Sequence, residues 1–140
     1  QEAPDYWGIS FRVGSHISLF DTGSGHVLLA FRSPEERKMM IAEYVKDSDS
    51  IKLDESFYER LDQIRERGYE MMPSAQVAGV YNLSAPILGP DGACIAALTC
   101  PYVTLVNSAP APDITQTITL LQNTVKDLSK LVGSDIGTTE

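Results

Sequence analysis

The sequence predicts an α+β domain in which helices pack on an antiparallel sheet. Two long runs rich in β-forming residues, 77–88 and 93–106, are joined by the turn Gly89-Pro90-Asp91-Gly92 and predict a hairpin. Further strand-like segments, 6–20 and 69–72, lie before and after a group of helix-forming segments. Strands paired as a hairpin, with helices grouped between other strands, are typical of α+β folds.

Length and charge restrict the class of protein. With 140 residues the chain is long enough to form one domain, residues 1–140, around its own core. The formal net charge of −8 disfavours binding of DNA or RNA phosphates by this chain itself. No apolar run reaches the roughly 20 residues of a membrane span, and no signal-peptide pattern opens the chain. We therefore expect a cytoplasmic protein without membrane contact.

The two cysteines, Cys94 and Cys100, are six positions apart in one predicted strand. Strand geometry then places both on one face, about 20 Å apart, which is too far for a disulfide. Two free thiols fit a reducing cytosol.

The first elements are predicted from alternation and from helix propensity. Residues 6–20 alternate between apolar and polar around Gly14-Ser15, which predicts strand character on both sides of a turn. A helix is predicted from Gly25, because residues 27–31 contain strong helix formers and no breaker.

The middle helices are predicted from their end signals. Ser33-Pro34 starts one helix, with a capping serine, proline at the first helical position and acids behind it. After a polar connector at 46–52, a second helix runs from about Asp54 to Arg67 and ends at Gly68. Residues 69–72 predict a short strand that Pro73 stops.

The last helix begins at Asp113 and carries one apolar seam. Its members recur with spacings of four and three: Ile114, Ile118, Leu121, Val125, Leu128 and Val132. Such a seam indicates packing of the helix, either on its own sheet or on a second subunit.

The segment Asp21-Thr22-Gly23-Ser24 has two chemical interpretations. It resembles the motif of aspartic proteases, and Ile-Leu-Gly at 87–89 resembles the support of their active loop. A homodimeric aspartic protease would pair two such carboxylates, whose repulsion separates their pKa values. Those proteases are almost wholly β, however, whereas here the motif runs directly into a helical segment.

The other interpretation is a helix start. Asp21, Thr22 or Ser24 would cap the helix, and glycines would allow its tight entry. Free backbone N–H groups at a helix start also bind anions, which would suit a receptor for a small carboxylate.

Several motifs, in order, carry a resemblance to a known family. Residues 13–30 are similar to Val-Gly-x-x-x-Pro-x-His-Ala-Thr-Ala-Ser-Gly-Lys-Ala-Leu-Leu-Ala, and residues 33–37 to its acid-rich helix start. Residues 64–69 match Ile-Arg-x-x-Gly-Tyr, and residues 79–87 match Gly-Val-x-x-x-x-Ala-Pro-Ile. A turn and an Ala-Ala-Leu-Ser-like run at 96–99 follow. Together they resemble the effector-binding (C-terminal) domain of IclR-type bacterial transcriptional regulators.

This resemblance implies a GAF-like fold that senses a small organic acid or aromatic effector and assembles into dimers or tetramers. It implies no enzymatic activity, no cofactor and no metal. The chain begins with Gln and shows no helix-turn-helix pattern. We therefore expect a fragment whose N-terminal winged helix-turn-helix and first sensor elements are absent, and DNA contact only through that missing domain. A GAF-like sensor with another output, such as a kinase, is the remaining alternative.

The resemblance also implies a ligand site, position by position. A ligand carboxylate would meet the backbone near Thr22, Gly23 and Ser24, where the helix starts. The walls would be formed by Val80, Asn82, Ser84 and Thr99, with Met72 where the family often has an acid. Strand alternation places Val80, Asn82 and Ser84 on one face. Each polar group could equally be a sheet residue satisfied within the fold.

The family's usual His and Lys are Phe20 and His26 in this chain. We expect His16 and His26 to be solvated or capping residues, because no other metal ligands surround them at metal-binding spacing. The Arg65-Glu66-Arg67 run is expected to lie on a solvated helix face.

Overall fold

A computed structural model describes residues 13–45, 53–75, 77–104 and 111–135. Within these residues the elements are α1 (Gly23–Ala30), α2 (Pro34–Val45), α3 (Glu55–Arg67), β1 (Glu70–Pro73), β2 (Val80–Leu88), β3 (Cys94–Val103) and α4 (Ile114–Asp135). The strands form an antiparallel sheet in the order β1-β2-β3. The predicted α+β architecture is confirmed.

The helix ends follow the local signals. Thr22 is the N-cap of α1, and its Oγ1 accepts a hydrogen bond from the Gly25 amide. Ser33 and Glu36 form a capping box at α2, each side chain accepting from the other's backbone amide. Asp54 caps α3, and Gly68 ends it at a φ of +82°. Helix α1 begins at Gly23, two residues before the predicted start.

The helices cover both faces of the sheet. On one face, α1 and α3 enclose a core of Phe20, Val27, Leu29, Ala30, Leu61, Ile64 and Cys94. On the other face, Leu121 and Val125 of α4 pack with Leu83 and Ala85 of β2. The apolar seam of α4 is therefore used within the chain, as the first of its two interpretations predicts.

Gly25 lies where α1 passes closest to the preceding segment. A Cβ on this residue would stand 2.4 Å from the Leu19 carbonyl oxygen and 2.7 Å from the Leu19 Cα. Because real Cβ atoms do not approach backbone atoms so closely, only glycine fits here without a shift of the backbone.

The strand predicted before α1 is wrong where the structure describes it. Residues 13 and 14 form a turn, with Gly14 at a φ of +89°, and 15–20 have no strand pairing. Ser18 Oγ accepts from the Phe20 and Asp21 amides, and Thr22 Oγ1 donates to the Ser18 carbonyl. These side-chain bonds to the backbone replace the ladder of a strand. The predicted strand at 6–12 lies outside the described residues.

The observed hairpin differs from the predicted one in two details. β2 begins at Val80 rather than at 77, because residues 77–79 turn, with Gly79 at a φ of +78°. A register shift at Ile87/Leu88 leaves Ile95 without a partner, so it is an extra residue in β3. Cys94 consequently lies in the core beneath α1, whereas Cys100 packs on the α4 side. The prediction that both cysteines share one face is therefore wrong, although both are free.

Candidate functional site

A cavity of about 490 Å³ lies between the start of α1 and the sheet face that α1 covers. Its lining comes from the segment before α1, from α1 itself and from all three strands. The lining residues are His16, Ile17, Ser18, Asp21, Thr22, Gly23, Ser24, Met72, Pro73, Ser74, Ala75, Asn82, Ser84, Ala97, Thr99 and Pro101.

Seven of the eight predicted site residues line this one cavity: Thr22, Gly23, Ser24, Met72, Asn82, Ser84 and Thr99. The pairing of the strands explains the convergence, because Met72 opposes Asn82 and Ser84 opposes Thr99. Val80 is not part of the lining. It is buried at the beginning of β2, two positions before Asn82.

The start of α1 contributes hydroxyl and amide groups. Thr22 Oγ1 donates to the Ser18 carbonyl at 2.6 Å, so Ser24 Oγ, 3.3 Å away, is the donor in their mutual contact. The amides of Gly23 and Ser24 form no hydrogen bond with another described residue. Unpaired amides at the positive end of a helix attract an anion.

The strand wall contributes neutral polar groups. Ser84 Oγ and Thr99 Oγ1 are 2.8 Å apart and share one hydrogen bond. The two hydroxyls carry two protons, and their shared hydrogen bond uses only one of them. The other proton therefore remains available for a ligand. The half-buried Asn82 side chain forms no hydrogen bond with another described residue, so its amide also remains available.

No lysine or arginine is among the described residues that line this cavity. Its single carboxylate, Asp21, is exposed and accepts from Ser18 Oγ at 2.7 Å. The remaining lining is largely apolar, with Met72, Ala97 and Pro101 on the strands. The arrangement can hold a small polar ligand through hydrogen bonds and contact with apolar surface.

Helix α1 sits directly on the strand wall. A Cβ on Gly23 would stand 2.9 Å from Ser84 Oγ and 3.4 Å from Glu70 Cγ. The absence of a side chain at Gly23 therefore lets the helix start approach β1 and β2.

Beside the cavity lies a charged cluster that the sequence analysis missed. The Glu70 carboxylate is fully buried and accepts from His26 Nδ1 (3.1 Å), Arg60 Nε (2.6 Å), Arg67 Nη2 (2.5 Å) and the Met71 amide (2.8 Å). Burial alone would raise the pKa of Glu70. Hydrogen bonds from His26, Arg60 and Met71, with the Arg60 charge, instead lower the pKa from 4.5 to about 2.

One expectation is corrected by this cluster. His26 is buried rather than solvated, since Glu70 and the Phe20 carbonyl satisfy its two ring nitrogens. Arg65, Glu66 and Arg67 are exposed, as predicted, and Arg67 also pairs with Glu70 and lies 5.1 Å from the centre of the Tyr69 ring. The sequence signal for this cluster was Glu70 itself, an acid in a short apolar strand, three residues after Arg67.

The protease-like segment takes the second of its two interpretations. Thr22 caps α1 and Gly23 is its first residue, so the motif enters a helix where an aspartic protease has a strand. Within the described residues, no three metal-binding side chains are grouped so that they could hold an ion. In the same part of the chain, every helix is too short or too polar to cross a membrane.

Comparisons with known proteins agree on one family. The family profile for the C-terminal part of the bacterial transcriptional regulator IclR matches residues 2–130. The HTH-type transcriptional regulator KdgR of Escherichia coli is 33% identical over 97 residues, which are 67% of this chain and 37% of that protein. The p-hydroxybenzoate hydroxylase transcriptional activator of Acinetobacter baylyi is 30% identical over 123 residues, 86% of this chain and 45% of that protein.

A solved structure extends the likeness to the fold. A double mutant of the inducer-binding domain of the PobR transcription factor from Acinetobacter, in complex with 3-hydroxybenzoic acid, matches with a TM-score of 0.66 at 27% identity. The match covers 94% of this chain and 78% of that one. The chain spans less than half the length of either curated relative. It therefore belongs to the IclR family of bacterial transcriptional regulators and corresponds to their C-terminal, effector-binding domain.

Proposed function

We propose that residues 1–140 are one effector-sensing domain of a longer cytoplasmic regulator, and that its effector is a small organic acid held in the cavity at the start of α1. The observation that carries this proposal is the pair of unbonded amides at Gly23 and Ser24, opposite neutral polar groups on the strands. The ligand carboxylate binds these amides, where the helix dipole contributes about 0.3–1 kcal/mol.

The body of the ligand lies against the strands. Asn82 and the Ser84–Thr99 pair orient its polar groups, and Met72, where the family often has an acid, presents apolar surface without a like charge. A cavity of about 490 Å³ accommodates an acid of benzoate size. Support for an aromatic body comes from the Acinetobacter domain, which was solved with 3-hydroxybenzoic acid.

The cavity is tested by removing its neutral polar groups. In the double variant Asn82→Ala/Thr99→Val we expect the dissociation constant of 3-hydroxybenzoate to rise at least about fivefold, since each lost hydrogen bond costs about 0.5–1.5 kcal/mol. Isothermal titration calorimetry measures this change at a temperature where the variant is fully folded, because Thr99→Val also removes the hydrogen bond to the buried Ser84 hydroxyl.

The matched control removes the same chemical groups from an exposed part of α4. Asn123→Ala/Thr115→Val should leave the affinity unchanged, because neither residue lines the cavity. Full affinity in the double cavity variant, or a bound ligand located elsewhere, would show that the cavity is not the effector site.

Signal transfer follows from the family. Ligand binding shifts the population of the oligomer from one arrangement of its subunits to another. This shift changes the spacing of the DNA-binding domains that precede this domain. DNA is therefore contacted only through the N-terminal domain. The domain itself is a sensor and not an enzyme. A winged helix-turn-helix encoded directly upstream would separate this proposal from a GAF-like module with another output.

The domain is expected to form dimers or tetramers. The seam of α4 is used within the chain, but Leu120 and Leu131 of that helix remain 56% and 63% exposed and can meet another subunit. Light scattering at high micromolar concentration should give the mass of an oligomer. A monomeric mass for the full-length regulator under those conditions would remove this part of the proposal.

A further inference from the structure

Glu70 lies beneath the candidate effector cavity without forming part of its lining. Its buried carboxylate joins three elements, because it belongs to β1 and accepts from His26 of α1 and from Arg60 and Arg67 of α3. A buried carboxylate is stable only with such a full set of donors. Glu70 therefore joins α1 and α3 to β1.

Glu70 is also connected to the segment before α1, because His26 contacts both Glu70 and Phe20. The Nδ1 atom of this histidine is 3.1 Å from Glu70 Oε2, and its Nε2 is 2.6 Å from the Phe20 carbonyl oxygen. Both neighbours are hydrogen-bond acceptors, so the ring of His26 bridges the Glu70 carboxylate and the backbone of Phe20. Phe20 stands two residues before the N-cap Thr22, and its carbonyl is thereby held from inside the fold.

The same carboxylate side chain supports Gly23 from below. A Cβ on Gly23 would stand 3.4 Å from Glu70 Cγ, and Glu70 is the β1 partner of the cavity residue Ser84. The helix start therefore leaves no room for a side chain between Gly23 and Ser84, and little between Gly23 and Glu70. A shift of Glu70 or of His26 displaces the amides at Gly23 and Ser24 relative to the strand wall.

We propose that Glu70 is a positioning residue of the effector site, which acts through His26 to hold the start of α1 in register with Asn82, Ser84 and Thr99. This inference rests on the proposed function of the cavity, because it assigns Glu70 a role in ligand affinity. In the ligand-free domain, the Glu70–His26 contact fixes the backbone at Gly23 and Ser24.

The variant Glu70→Gln tests the role with little change in size. A glutamine presents an NH₂ group where the carboxylate has an acceptor, so it cannot accept hydrogen bonds from His26 and both arginines together. We expect the affinity for 3-hydroxybenzoate to fall about tenfold at a temperature where urea unfolding shows the variant to be fully folded. The variant His26→Gln should produce a similar loss, and the double variant should lose no more than either single one.

The matched control is Arg37→Gln, which loosens the other end of α1. Arg37 is largely buried, and its guanidinium donates to the carbonyls of Leu29 and Ala30 and pairs with Asp62. Loss of these bonds should lower stability but leave the affinity for 3-hydroxybenzoate within about twofold of wild type. A purely structural role of Glu70 predicts that both variants behave alike.

NMR of the ligand-free domain supplies the second measurement. In Glu70→Gln the amide resonances of Gly23 and Ser24 and the ring nitrogen resonances of His26 should shift, whereas Arg37→Gln should leave all of them in place. Unchanged amide resonances, or unchanged affinity in Glu70→Gln, would overturn the positioning role. If the wild-type domain does not bind 3-hydroxybenzoate, the proposed ligand class fails, and the amide resonances alone then decide the role of Glu70.

Discussion

Replacing Gly25 by alanine is expected to lower the free energy of unfolding by at least about 3 kcal/mol. In an ordinary helix this change stabilises, by up to about 1 kcal/mol. Here the new Cβ would stand 2.4 Å from the Leu19 carbonyl oxygen, so α1 or the segment before it must move. Such a movement disturbs Val27 and Leu29, which are fully buried in the core beneath α1.

Urea unfolding measures this loss, and Gly133→Ala is the matched control. Gly133 lies in α4 with no atom within 4 Å of an added Cβ, and its backbone is not in the left-handed region. We expect the control to be unchanged or slightly more stable. Equal stabilities of Gly25→Ala and wild type would show that α1 does not pack against Leu19 as described.

Acid is expected to remove about 2 kcal/mol of stability through Glu70 alone. The pKa of this group is lowered from 4.5 to about 2 in the folded chain, so its contribution is complete above pH 4.5. It is lost as the pH falls from 4.5 toward 2, because the unfolded chain then binds a proton that the folded chain does not. Solvent screening of the partly exposed Arg60 and Arg67 keeps the contribution below the full value of the pKa difference.

The measurement compares wild type with Glu70→Gln in urea at pH 7, 5, 4 and 3. The difference in unfolding free energy should narrow as the pH falls from 5 to 4 and 3. Other carboxylates titrate in both proteins, so they cancel in the comparison. A difference that stays constant down to pH 3 would contradict the buried ion cluster around Glu70.

The features that were predictable from sequence depend on neighbouring residues. Thr22, Asp54 and Gly68 act within one helical turn, and the seam of α4 repeats along a single element. The wrong strand at 13–20 has the opposite cause. Its apolar alternation is real, but Ser18 and Thr22 bind the local backbone and so prevent a ladder. The extra residue Ile95 depends on the pairing of two strands and leaves no local signal.

The candidate site also has features that the sequence predicts and features that it does not. Seven positions converge because resemblance to a family transfers a three-dimensional arrangement that spacing alone does not contain. The Glu70–His26 contact joins residues 44 positions apart, and both residue types are ordinary on a protein surface. Only the fold shows that α1 and β1 bring them together where water is excluded.

The hydroxyl pair of Ser84 and Thr99 has a consequence for ligand discrimination. The shared bond between the two oxygens can run in either direction, so rotation of both hydroxyls exchanges which of them offers a proton and which offers a lone pair. A ketone and an alcohol placed at this point of the cavity are therefore accepted alike. The domain would therefore discriminate between acids by their shape more strictly than by whether they carry a ketone or an alcohol at this point.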